Sequence, residues 1–119
     1  MYLIQLRVLI KYLDICVQLG LSALVEVLDE EEMKTAIAAG ARLIGVNNRN
    51  LKNFTVDIHN SMRLRKLAPE NTIFVAESGI RTASDIQNLR DGKVNAVLIG
   101  ETLMRSPDKK KMLDELRGY

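Results

Sequence analysis

The chain has 119 residues, 47% of them hydrophobic and 27% charged, which is the make-up of one folded domain with its own core and excludes a disordered segment. Seventeen basic residues against fifteen acidic ones leave a formal charge of +2, so the charge balance argues for neither a nucleic-acid nor a membrane partner. A single cysteine, Cys16, excludes an intrachain disulfide and suits a reducing, cytoplasmic setting, and neither a signal-peptide cleavage site nor an apolar run of about 18 residues points to export or a membrane span.

In chain order, residues 1–20 come first, and they contain no Gly, Pro, Asn or Ser before Gly20. Leu3, Leu6, Ile10, Leu13, Cys16 and Val17 recur at helical spacing and predict one helix over about 3–19. A strand at 2–6 feeding a helix is the alternative, but it would need a turn that the sequence does not supply. Cys16 on that stripe reads as a small buried hydrophobe. ALVEVL (23–28) is the first strand run. Asp29 then caps a helix with Glu32 as its capping-box partner, Met33, Ala36 and Ile37 form its apolar stripe, and Gly40 ends it. RLIGVNNRNL (42–51) is a second strand running into Asn47, Asn48 and Arg49. The next helix spans from near Asp57 to just before Pro69, with Met62 and Leu67 facing inward and His59 on the surface near its start. TIFVAESGI (72–80) stops at Glu77-Ser78-Gly79, and Thr82 with Asp85 opens a helix that buries Ile86 and Leu89 and stops near Gly92. NAVLIGETLM (95–104) breaks at Gly100. Ser106 as cap and Pro107 at the first helical position start the last helix, which carries Met112, Leu113 and Leu116 before Gly118. Lys109-Lys110-Lys111 reads as its solvated face.

Short strands that are apolar on both faces and separated by helices specify an α/β protein with a parallel sheet covered by helices. Four such units make half of a TIM barrel, (β/α)4, behind an N-terminal helix, since a full barrel needs about 250 residues. Period-two alternation places Leu24, Glu26 and Leu28 on one face, as it does Leu43, Gly45 and Asn47, and Ile73, Val75 and Glu77. Each polar residue thus falls at or near the carboxyl end of its strand, where barrel enzymes carry their chemistry. Inward carboxylates are costly without a function or a partner, so Glu26 and Glu77 are the leading site candidates. Arg49 either contacts a ligand or neutralises one of them. With one histidine and one cysteine, neither a metal site nor a cofactor is expected.

Four motifs, LVEV (24–27), GARLIGVNNRNL (40–51), AESGI (76–80) and LIGETLM (98–104), in this order and at barrel spacing, resemble the C-terminal half of indole-3-glycerol-phosphate synthase, the ring-closing decarboxylase of tryptophan biosynthesis. The resemblance implies an eight-fold barrel of which residues 21–119 supply strands and helices five to eight, with residues 1–20 a vestige of the fourth unit. It implies a phosphorylated substrate, 1-(2-carboxyphenylamino)-1-deoxyribulose 5-phosphate. Glu26 would act as base or charge stabiliser near the anilino group, Asn47 and Arg49 would orient the substrate, and Glu77 and Ser78 would line the pocket. Backbone amides of Gly79, Gly100 and Glu101 would hold the phosphate, or inorganic phosphate or sulfate in its place. Leu28 stands where many relatives have histidine, and Asn50 where aspartate is common. The family's lysine acid, its phosphate-contacting lysine and a further glutamate come from strands that these 119 residues do not contain.

Two readings of function follow: a lyase component that needs its other strands, or a self-associating half-barrel without chemistry. Both expect the chain to associate. The strands ALVEVL and NAVLIG would be open edges, and a half-barrel would expose Leu24, Leu43, Val75 and Val97, so a homodimer closing eight strands is expected.

Overall fold

The computed structural model describes residues 2–50 and 52–118. Helix and strand alternate as α1 (Tyr2–Gln18), β1 (Val25–Val27), α2 (Glu30–Ala38), β2 (Leu43–Asn47), α3 (His59–Arg65), β3 (Ile73–Glu77), α4 (Ala83–Asp91) and β4 (Ala96–Leu98), followed by α5 (Glu101–Arg105) and α6 (Lys109–Arg117). The strands form one sheet in the order β1-β2-β3-β4 with every neighbouring pair parallel, so β1 and β4 are its edges. The expected α/β half-barrel behind an N-terminal helix is therefore present. The segment 2–6 is helix, not strand. Leu51, the last residue of the second predicted strand run, lies outside the described residues, as do Met1 and Tyr119.

Helix starts follow their capping residues. Asp29 Oδ1 accepts from Glu32 N at 2.8 Å, while Glu32 Oε1 accepts from Leu28 N at 2.9 Å. Thr82 and Asp85 form a reciprocal capping box at the start of α4. The last helix differs from expectation: Asp108, not Ser106, is the cap, accepting from Lys111 N at 3.0 Å. Ser106 instead ends α5, a short helix the sequence reading did not anticipate, and its hydroxyl donates to the Asp108 carbonyl at 3.0 Å. Pro107 thereby sits in the turn between the two helices.

One face of the sheet is packed. Val27, Ile44, Val46 and Phe74 meet Met33 and Ala36 of α2 and Leu64 of α3, and Ala76 and Ile80 meet Leu89 of α4. Burying side chains of this size stabilises by about 1.5–3 kcal/mol each, which makes this layer the main determinant of the fold. Arg65 closes its lower edge: it is buried, lies over the Phe74 ring, and donates to the carbonyls of Lys93, Pro69 and Glu70.

The opposite face carries no packed core cluster among the described residues and is largely bare, although Val75, expected to be exposed on it, is buried. The ladders set Glu26, Gly45, Val75 and Ala96 in one row and Asn47, Glu77 and Leu98 in the next. Leu24, Leu28, Ile73 and Leu98 stand exposed there. Val97 does not belong to this layer as expected: it pairs with Ala76 and packs toward α4, because the fourth strand enters the sheet with Ala96 opposite Val75. Four further core assignments are corrected. Ile10 and Val17 of α1 are exposed, since the side of α1 that is half-covered carries Leu6, Leu9, Leu13 and Cys16 instead. Leu67 is exposed because α3 stops at Arg65, and Leu113 is exposed on α6, where Leu116 is the buried residue.

Candidate active site at the carboxyl ends of the strands

The site is built from the residues where β2 and β3 end. Asn47 pairs with Glu77 across the ladder, so both side chains rise on the bare face at its carboxyl end. One row below, Gly45 leaves a gap that the Glu77 carboxyl fills: a Cβ on Gly45 would lie 2.6 Å from Glu77 Oε2. A glycine inside an apolar strand commonly marks such a close approach. Gly45 is also the ladder partner of Glu26, which brings the two carboxyl groups together over the sheet. Glu77 is buried while Glu26 is exposed. Burial first, then a hydrogen bond with Glu26 and the charge of Glu26, push the Glu77 carboxyl up to about 7. Such a pair has one group able to hold a proton near neutrality beside one in solvent, which is the equipment of general acid–base chemistry.

Beyond Glu77 the chain turns sharply. Ser78 and Gly79 both take left-handed backbone conformations, with φ of 70° and 75°. A side chain at Gly79 would run into Val56 of the preceding loop, so only glycine fits. Asn48, buried at this junction, ties β2, β3 and α3 together: its N–H donates to the Glu77 carbonyl at 2.8 Å and its Nδ2 to the Ser78 carbonyl at 3.1 Å. Its Oδ1 accepts from Ser61 N and Ser61 Oγ at 3.2 and 2.6 Å. On the far side, Thr102 Oγ1 donates to the Ile80 carbonyl at 2.6 Å, fastening α5 to the same loop.

Between these loops lies a cleft of about 600 Å³ bordered by Arg49, Ser78, Gly79, Arg81, Glu101 and Arg105. Arg49 is held at both ends, its backbone N–H by Asn47 Oδ1 at 2.9 Å and its Nη2 by Glu101 Oε2 at 2.8 Å. The expected choice between ligand contact and carboxylate neutralisation thus has a different partner, Glu101 rather than Glu26 or Glu77. Glu101 also pairs with Arg105 at 3.2 Å. The Arg49 hydrogen bond, then the charges of Arg105, Arg49 and Arg81, hold the Glu101 carboxyl below the usual range. Two buried polar atoms lack a partner among the described residues, Arg49 Nε and Glu77 Oε2, one a donor and one an acceptor. Buried polar atoms are rarely left unpaired, and in a site they are natural contacts for a ligand.

The structure therefore brings Arg49, Ser78, Gly79 and Glu101 into one cleft, with Gly100 as N-cap of α5 at its rim. It places Glu26, Asn47 and Glu77 on the adjoining bare face. A Cβ on Gly100 would meet nothing within 4 Å, so packing does not require glycine there. Sequence reasoning missed Gly45, Asn48, Thr102 and the two flanking arginines. The glycine interrupting LIGVN was the one available signal.

A family model described as indole-3-glycerol phosphate synthase matches residues 3–116. The indole-3-glycerol phosphate synthase of Ruminiclostridium cellulolyticum is 61% identical over 108 residues, covering 91% of this chain and 42% of that protein. That of Lachnoclostridium phytofermentans is 54% identical over 107 residues, 90% of this chain and 40% of that protein. The chain thus spans about two fifths of the length of the curated relatives it matches. Among solved structures, a chain of the Amycolatopsis orientalis BexX/CysO complex superposes with a TM-score of 0.71 at 16% identity, over 99% of this chain and 47% of that one, a likeness of fold alone.

The raised Glu77 carboxyl carries a pH dependence. The folded state binds that proton more tightly than the unfolded chain, so its stabilisation is complete below about 4.5 and is lost as pH rises through about 7. Urea unfolding should accordingly give a lower stability at about pH 8 than at about pH 5, and E77Q should flatten the difference. G45A, by evicting the carboxyl, should bring its titration, followed by ¹³C NMR, back toward the ordinary value. An equally steep profile in E77Q would show that other groups govern it.

Proposed function

This chain belongs to the indole-3-glycerol phosphate synthase family, and we propose that it supplies the C-terminal half of such an active site, the half that receives the substrate phosphate and the carboxylate-bearing ring. The reaction is the ring-closing decarboxylation of 1-(2-carboxyphenylamino)-1-deoxyribulose 5-phosphate. The observation that carries this reading is the junction of an arginine-lined cleft with the Glu26–Glu77 pair across Asn47 and Arg49. The phosphate sits in the cleft, on the backbone of Gly79, Gly100 and Glu101, with Arg81 and Arg105 supplying positive potential. Asn47 and Arg49 orient the sugar chain toward the bare face, Ser78 and Glu77 line the pocket, and Glu26 serves as base or charge stabiliser beside the anilino nitrogen.

Ring closure needs an acid to protonate the ketone and later expel water, a contribution of about 10²–10⁴-fold. The lysines lie on α1, α2 and α6 (Lys11, Lys34, Lys109, Lys110, Lys111) or in caps and loops (Lys52, Lys66, Lys93), none of them within a strand. The 119 residues alone are therefore inactive, and turnover requires strands that complete the barrel. A cytoplasmic location accompanies this reading, in keeping with a biosynthetic family and the unpaired Cys16.

The exposed face of Leu24, Leu28, Ile73 and Leu98 and the free edges of β1 and β4 favour a second reading for the chain by itself: a homodimer in which β4 of one copy pairs with β1 of the other. Light scattering at micromolar concentration should give twice 13.4 kDa, and a stable 13.4 kDa particle would contradict it. For the cleft, sulfate or phosphate titrated by NMR should shift the amides of Gly79, Gly100 and Glu101 with a dissociation constant on the order of millimolar. Shifts confined to other amides would refute the phosphate assignment.

A further inference from the structure

We propose that Asn48 is a positioning residue for the anion cleft: by holding the Ser78 carbonyl, its side-chain amide aims the Gly79 N–H outward at the ligand. The inference rests on the cleft being an anion site. Ser78 is a non-glycine residue held at φ 70°, and Gly79 follows at 75°. Left-handed backbone is disfavoured for a side chain, so Ser78 needs restraint, and Asn48 grips the peptide on each side of it: its N–H holds the Glu77 carbonyl at 2.8 Å and its Nδ2 the Ser78 carbonyl. In a trans peptide the carbonyl and the N–H point in opposite directions. Asn48 Nδ2 takes the Ser78 carbonyl at 3.1 Å on the protein side, and the Gly79 N–H is consequently directed away from Asn48. That N–H donates to no group among the described residues, while Gly79 borders the cleft.

Asn48 is itself immovable. It is 3% exposed, its N–H and C=O are bound to Glu77 O and Asp57 N at 2.8 and 2.9 Å, and its Oδ1 takes both donors of Ser61. With Oδ1 committed to Ser61, the amide nitrogen is oriented toward Ser78 without ambiguity. The same residue anchors the carboxyl end of β2, the carboxyl end of β3 and the start of α3, so the turn is referenced to the rows that carry Asn47 and Glu77. A simple packing residue would need none of this donor specificity.

N48D isolates the bond in question, because it keeps an acceptor for Ser61 and loses the donor to Ser78 whenever the new carboxyl is ionised. The probe is sulfate, which does not titrate in the working range, followed by NMR on the full chain. N48D should weaken sulfate binding at least tenfold at about pH 7.5 and change the backbone three-bond couplings of Ser78 and Gly79 that report their left-handed φ, and the deficit should shrink as pH falls and the carboxyl can donate again. S61A, which leaves the Ser78 bond in place, should lower stability but keep sulfate affinity within about twofold. N48D with unchanged affinity and unchanged Ser78 and Gly79 couplings would overturn the proposal, and so would an S61A loss equal to that of N48D. If N48D does not fold, the unsubstituted chain decides: the Asn48 side-chain amide protons should exchange slowly and shift on saturation with sulfate, and free, unresponsive protons would overturn the role. If the unsubstituted chain binds no sulfate, the cleft reading fails separately, and the Ser78 and Gly79 couplings in N48D alone then decide whether Asn48 holds the turn.

Discussion

A parallel strand pair can bury one set of side chains only in one register, and here the β2–β3 ladder fixes that register for the whole site. Ile44, Val46, Phe74 and Ala76 are fully buried against the helices. A slip of one residue in either strand would turn that strand's buried set outward and drive Asn47 or Glu77 into the apolar layer, a loss of several buried side chains at once. The register that burial selects is the one that sets Asn47 beside Glu77 and Gly45 beside Val75. The placement of the chemistry is thus a by-product of the core: no residue of the site has to stabilise its own position at the strand ends.

From that placement the electrostatics divide into two neighbouring fields. On the bare face the Glu77 carboxyl fills the gap above Gly45 and, buried beside solvent-exposed Glu26, is driven toward neutrality. In the cleft, three arginines meet a single carboxylate, Glu101, which is held ionised. Arg49 stands at the boundary, with one nitrogen on Glu101 and another buried without a partner among the described residues. In the proposed reading a phosphate would compete with Glu101 for positive charge, so the Glu101 carboxylate would balance the charge of the cleft rather than add affinity. Exposed pairs of this kind contribute little to stability, which leaves Glu101 free to exchange partners.

Much of this was legible in the sequence because it depends on local rules. Alternation and helix caps gave the four parallel strands, and strand-end polarity marked Glu26, Asn47, Glu77 and Ser78. What was not legible depends on tertiary contacts. Asn48 looks like any loop asparagine until Ser61 and Ser78 are brought to it from 13 and 30 residues away. Glu101 reads as a helix-start acid, and its pairing with Arg49 spans 52 residues. Val97 was assigned to the wrong face because the point at which β4 enters the ladder is set by its neighbour, not by its own pattern. Ser106 and Pro107 carry a strong start signal that Asp108 outcompetes by capping two residues later.

The central claim is that this chain holds a substrate-receiving half of a barrel active site whose acid must come from other strands. The most direct measurement mixes the purified chain with the N-terminal strands of a family relative such as that of Ruminiclostridium cellulolyticum and follows indole-3-glycerol phosphate formation. The account predicts no turnover by either half, turnover on mixing, and its loss when the chain carries E26Q. Turnover by the chain alone at the level of an intact family member would contradict it, as would a stable complex of the two halves that forms no product.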